Sequence, residues 1–194
     1  MRSLTTVLTA ALLVTAAADA RAQARRGVFG GLGLGLGTAR VTCPGCPNVF
    51  QKRQNSPTFG MRLGTTVNGY VALGAELNRW TITDDFNTHT RLLDLTGSVY
   101  VYPDQVGFFF KAGAGLSRAT LEPRSDITGV TTQASGLGLM AGGGYDIPIG
   151  RVLAVTPMIT YWRGSPGDLT IDGVTRQRNV KHNVLEMNVG VTFY

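Results

Sequence analysis

The chain is poor in the residues that most often carry chemistry, with two cysteines and two histidines among 194 residues. The cysteines fall together as Cys43-Pro44-Gly45-Cys46, and His89 and His182 lie on other loops or rims. A structural zinc site needs four converging ligands, so no metal and no cofactor is expected. A redox-active C-x-x-C pair would open a helix in a thioredoxin-like unit, and no helical pattern follows Cys46. Charged residues make up only 15% of the chain, and the adjacent basic pairs are Arg25-Arg26 and Lys52-Arg53. The net charge of +6 therefore reads as scattered surface cations, with no basic run to suggest nucleic acid. Beyond the first two dozen residues, no apolar stretch approaches the roughly 20 residues of a membrane-spanning helix.

The N-terminus has a different character. Met1-Arg2 is a short positive segment, Leu4 to Ala18 is apolar or small, and Ala18-Asp19-Ala20 and Ala22-Gln23-Ala24 are two A-x-A sites. These are the parts of a secretory signal, expected over residues 1–24 with cleavage after Ala24. The mature domain is then 25–194, and any membrane role falls to strands.

What is abundant is glycine, 26 residues, and a hydrophobic period of two. Leu32-Gly33-Leu34-Gly35-Leu36-Gly37 is the first clear case. Alternation recurs around 58–66, 70–80, 91–102, 106–118, 134–146, 151–162 and 183–194. Eight such segments are near the roughly 9–11 residues of a tilted strand that crosses a bilayer. The connections alternate in length. Short ones sit at Val67-Asn68-Gly69, Pro103-Asp104-Gln105 and Ile147-Pro148-Ile149-Gly150; long ones at 39–57, 81–90, 119–133 and 163–182. Asn-Gly favours a tight hairpin. Short turns on one side and long loops on the other suit a transmembrane barrel, the short side periplasmic and the long side extracellular. The expected fold is all-β, an eight-stranded antiparallel up-and-down transmembrane β-barrel.

The more apolar parity, taken over 28–36, 59–65, 71–77, 93–101, 106–116, 135–145, 153–161 and 185–193, carries no charge, as lipid requires. The other parity holds Arg62, Glu76, Asp94, Lys111 and Glu186, with Asn78, Thr96, Ser98, Thr156 and Asn188. Fifteen glycines share that inward parity (31, 33, 35, 37, 60, 64, 74, 107, 113, 115, 136, 138, 142, 144, 190), against three outward (30, 97, 143). Eight strands leave an interior just wide enough for side chains, so glycine on one wall gives room to long side chains from another. A soluble ligand-binding barrel would carry the inverse polarity. Aromatics cluster near the inferred rims: Phe29, Tyr70, Tyr100, Tyr102, Phe108, Tyr145, Phe193 and Tyr194 at one end, Trp80, Tyr161 and Trp162 at the other. Both groups are expected in interfacial girdles. Pro157, outward and mid-strand, is expected to mark a bulge or a missing ladder bond.

This organisation resembles the small outer-membrane barrels of the OmpA and OmpX type, over Arg25 to Tyr194, and the barrel-only members above all. The resemblance implies an internal salt-bridge network, Arg62 and Lys111 against Glu76, Asp94 and Glu186. It also implies a C-terminal signal for the barrel-assembly machinery, reached after escort by periplasmic chaperones. Here the outward parity ends at Phe193, one residue before Tyr194, where the family usually ends on an outward aromatic. Outer-membrane lipids and lipopolysaccharide are the expected surroundings of a monomer. Arg40, Lys52, Arg53, Arg163, Arg176, Arg178 and Lys181 are placed to meet lipopolysaccharide phosphates.

The role that fits is structural or surface-interacting, with a plugged interior. A minor channel or apolar-solute conduit of the OmpW type is the alternative, which an apolar interior would favour. Lipid A deacylases are eight-stranded barrels too, but they carry a His-x-Ser pair, which neither His89-Thr90-Arg91 nor His182-Asn183-Val184 matches. No enzyme activity is expected. Pro-Gly centres a type II turn, so a Cys43–Cys46 disulfide is sterically accessible in an oxidising compartment; metal binding, redox activity and free thiols are the alternatives. Asp172-Gly173 suggests that the last two strands continue past the membrane as a hairpin.

Overall fold

The computed structural model describes residues 27–42, 53–83, 88–105, 107–123, 132–171 and 174–194. Nine strand segments form one antiparallel sheet. They are β1 (Val28–Thr42), β2 (Gln54–Thr66), β3 (Val71–Thr83), β4 (Thr88–Val101), β5 (Phe108–Pro123), β6 (Thr132–Tyr145), β7 (Ile147–Pro148), β8 (Leu153–Ile171) and β9 (Val174–Phe193). Each pairs with its chain neighbour except β6 with β7, β1 pairs with β9, and both β6 and β7 pair with β8, so the sheet closes on itself. The two-residue β7 continues the line of β6, which leaves eight staves. Closure removes free edges, the condition for strands in lipid.

Pro157 explains why the β6 stave is split. The β6–β8 ladder stops at Gly144↔Met158, and the β7–β8 ladder resumes in the same register at Ile147↔Val155. The missing pairs are those opposite Pro157 and Thr156, and proline has no N–H to give. On its other side Pro157 stays in register with Val189. The ladder gap is the expected one.

The inward and outward parities fall as the alternation indicates. Leu34, Leu116, Met187 and Val189 are exposed on the outer wall, while Arg62, Glu76, Asp94, Lys111 and Glu186 are buried in the lumen. The aromatic girdle, however, divides. Tyr70, Phe108, Tyr145, Tyr161 and Phe193 are exposed, whereas Phe29, Tyr100, Tyr102, Trp80 and Trp162 are buried inside. The last five have inward parity, so proximity to a rim in sequence does not put them against lipid.

The glycines also do two jobs instead of one. A Cβ on Gly37 would lie 2.6 Å from Thr58 Cγ2 and 3.1 Å from Trp80 Cδ1, so that glycine makes room for side chains. A Cβ on Gly35 would lie 2.2 Å from the Met187 carbonyl oxygen, and on Gly142 2.4 Å from that of Ile159. At these positions glycine lets neighbouring backbones approach as the wall coils.

Short turns lie at 67–70, 102–105 and 149–152, and the start of β1 and the end of β9 share their side, since Gly30 pairs with Phe193. The Asn68-Gly69 turn does not use positive φ at either residue, which a primed two-residue turn demands. Its four-residue span is closed instead by Asn68, whose Oδ1 accepts from the N–H groups of Tyr70 (2.8 Å) and Val71 (2.9 Å). Asn68→Ala should therefore lower stability by about 1 kcal/mol, read as a shift of the urea midpoint in micelles.

At the other end the strands run further than the hydrophobic pattern indicates. β8 and β9 stay paired to Ile171↔Val174, as the expected hairpin requires, although Asp172-Gly173 itself lies outside the described residues. The hydrophobic pattern ends where lipid ends; the hydrogen-bond ladder does not.

Candidate functional site

Among the described residues the buried ionisable groups gather in the lumen, and its contents are stacked in layers. Nearest the short turns, Phe29, Ala72, Tyr100, Tyr102 and Phe109 form an apolar cluster with Met158 and Tyr194 packed against it. Phe29 meets Tyr100 edge-on with centroids 5.5 Å apart, and Tyr100 meets Phe109 at 5.8 Å. These residues come from strands all around the wall, so the cluster spans the lumen. Further along lies a second cluster, Ala39, Trp80, Leu92, Ala119, Met140, Trp162 and Val184. An interior of glycine and polar residues alone is thus not what the strands build.

The charged residues occupy the levels around and between these clusters. Lys111 Nζ sits 2.6 Å from Glu76 Oε2, and Tyr100 donates to Glu76 Oε1 at 2.6 Å. Arg62 is the direct ladder partner of Glu76, yet its guanidinium turns to Asp146 at 3.4 Å. It also donates to Thr156 Oγ1 at 2.9 Å and to Thr192 Oγ1, and lies 5.6 Å from the Phe109 ring centroid. Asp94 meets no permanent cation; its Oδ2 is 3.3 Å from His182 Nε2. Glu186 accepts from Asn78 (2.8 Å), Trp162 Nε1 (3.1 Å) and Asn188 (3.1 Å), all neutral donors.

Of the five charges expected to pair with one another, the structure brings Lys111 and Glu76 into contact and gives Arg62, Asp94 and Glu186 other partners. Two of those partners, Asp146 and His182, are absent from the inward residues named from the alternation. Asp146 follows the even parity of Gly142 and Gly144 past the end of β6, and Thr156 Oγ1 donates to its Oδ1 at 2.7 Å across the ladder gap. His182 follows the even parity of Glu186 and Val184. It is 2% exposed, not solvated at a rim. Asp146 already closes the alternating segment 134–146 at inward parity, and one residue added to 183–194 reaches His182.

His182 also brings Ser117 within reach, Oγ to Nε2 at 3.3 Å. Both Ser117 and Asp94 address the same ring nitrogen, and Nδ1 has no partner. Nucleophilic catalysis splits the two nitrogens between nucleophile and carboxylate, so this trio does not form that relay. His89, on β4, shares a 2.8 Å hydrogen bond with Thr83 through Nδ1. Among the described residues no three His, Cys, Asp or Glu side chains gather as metal ligands. Cys43 and Cys46 lie outside the described residues.

At the C-terminus, Phe193 is exposed on the outer wall, while Tyr194 turns inward, half-buried, its hydroxyl 2.5 Å from Asp146 Oδ2. The terminal aromatic therefore belongs to the interior cluster.

A closed antiparallel barrel of eight staves, apolar outside and ionic inside, defines the class of outer-membrane β-barrels. The chain belongs to the family described as outer membrane protein beta-barrel domain, whose model matches residues 6–193. Its fold is similar to that of Ail, the attachment invasion locus protein of Yersinia pestis. That match has a TM-score of 0.56 and 14% identity, and covers 87% of this chain and 99% of that one. Neisserial surface protein A is similar to the same degree, with a TM-score of 0.56, 16% identity, and 87% and 99% covered. At these identities the likeness is one of fold. No curated protein matches the sequence.

Proposed function

We propose that this outer-membrane barrel has a structural or surface-interaction role, its lumen filled by its own side chains and its long connections turned to the cell exterior. The observation that carries this reading is the pair of apolar clusters that cross the lumen, with the Lys111–Glu76 and Arg62–Asp146 pairs anchored to the wall. Water and solutes would have to displace both. Residues 1–24 supply the export signal, and Phe193, on the outer wall, presents the aromatic for assembly. The exposed Arg40, Arg53, Arg163 and Lys181 are placed beyond the apolar belt, where lipopolysaccharide phosphates would lie.

Planar-bilayer recording on the purified, folded protein tests the plug. Brief, small events or none are expected; large, stable conductances would sink the reading.

The apolar cluster around Trp80, Leu92, Met140 and Trp162 favours one second reading, a conduit for small apolar solutes. Uptake of an apolar fluorophore into liposomes that carry the barrel, without ionic conductance, would support it over a purely structural role.

A further inference from the structure

The buried charges of the lumen do not balance. Among the described residues, four carboxylates are buried there, Glu76, Asp94, Asp146 and Glu186, against two permanent cations, Arg62 and Lys111. Lys111 answers Glu76, Arg62 answers Asp146, and His182, if protonated, answers Asp94. Glu186 is left. It is 2% exposed and held only by neutral N–H donors. Three donors favour the ionised carboxylate, and an uncompensated charge in a low-dielectric interior is costly.

The surroundings of Glu186 are rich in oxygen without donors. Asn78 and Asn188 turn their amide nitrogens to the carboxylate, and the Oδ1 atom of each is buried without a partner. So is Oγ1 of Thr160, the ladder partner of Glu186. Buried polar atoms normally have a partner. A cavity of about 20 Å³ adjoins Glu186 and Asn188, bordered also by Arg62 and Glu76, and that volume fits one water-sized particle. The charged groups facing it are one cation and two carboxylates, again one negative charge in excess.

We infer that the lumen binds one monovalent alkali cation between the Glu186 carboxylate and the amide oxygen of Asn188. Oxygen ligands suit a hard cation. A divalent ion would overshoot the residual charge, and no trio of carboxylates or imidazoles is gathered for one among the described residues. The inference rests on the closed lumen proposed above, since an open pore would hydrate Glu186 directly.

The test refolds the full barrel into zwitterionic micelles at pH 7 in chloride salts of sodium, potassium or N-methyl-D-glucamine at one ionic strength. Higher urea midpoints in sodium or potassium are expected, and Glu186→Gln should remove the difference. Equal midpoints in all three salts for the unaltered protein would overturn the inference, as would a difference that Glu186→Gln leaves intact. Should that variant not fold, rubidium counts the site directly. Protein refolded in rubidium chloride and desalted into N-methyl-D-glucamine should retain about one ion per chain, and retention of none refutes the site. Midpoints indifferent to the cation but rising with acid would mean that Glu186 is neutralised by a proton instead. Bilayer recording reports separately on the plug, because an open lumen conducts in any of these salts.

Discussion

Lys111→Met should cost the folded barrel about 3–5 kcal/mol, the usual result of stranding one member of a buried ion pair. Lys111 and Glu76 are 4% and 5% exposed and lie 2.6 Å apart. Methionine keeps most of the packing volume, so the loss reports on charge more than on a cavity. With the ammonium gone, Glu76 retains the Tyr100 hydroxyl as its hydrogen-bond donor, which leaves a carboxylate in the lumen with no cation against it. Converting Glu76 to Gln in the same chain should recover most of the loss, since replacing both charges removes the desolvation problem as well as the attraction. Urea titration of the four variants in micelles closes the cycle. A single-variant loss below about 1 kcal/mol would mean that water reaches Glu76, which contradicts a filled lumen at that level.

The fold was legible because lipid enforces a rule that water does not. Every outward residue in the belt must be uncharged, so the period of two is written plainly in Leu32 to Gly37 and again in each later strand. The inward set was legible by the same rule, and Arg62, Glu76, Asp94, Lys111 and Glu186 are all buried. Which of them touch was not. Contacts across a lumen depend on barrel shear and on side-chain length, neither of which appears in one strand. Arg62 and Glu76 are cross-strand neighbours, yet the arginine is long enough to reach Asp146, which lies beside the Pro157 gap and offers hydroxyl neighbours as well. Trp80 and Trp162 stand near a rim in sequence, but inward parity and not nearness to the rim decides that they are buried. Strand ends were hardest to read. Above the belt, water replaces lipid, so residues such as Arg163 and Lys181 become acceptable outward while the ladder continues.

The glycine wall supplies the other large effect. Gly60 and Gly115 look alike in sequence: both are inward, mid-strand and flanked by outward apolar residues. Their surroundings differ. A Cβ at Gly60 would find nothing nearer than the Asn188 amide nitrogen at 3.9 Å, whereas at Gly115 it would stand 2.1 Å from the Leu95 carbonyl oxygen and 2.7 Å from Thr96 Cα. The second pair are backbone atoms of β4, which cannot rotate away; β4 and β5 would have to part, with loss of ladder bonds. Gly115→Val should therefore lower stability by 3 kcal/mol or more, at or beyond the top of the roughly 1–3 kcal/mol of ordinary overpacking, and deplete the compact band on a gel of unboiled sample. Gly60→Ala should stay within about 0.5 kcal/mol of the parent, as substitutions away from such conflicts do. If glycine served only to leave space for side chains across the lumen, both sites would respond to added bulk in proportion to volume. A folded Gly115→Val barrel with an unshifted urea midpoint would show that β4 and β5 do not approach as closely as their coiling requires.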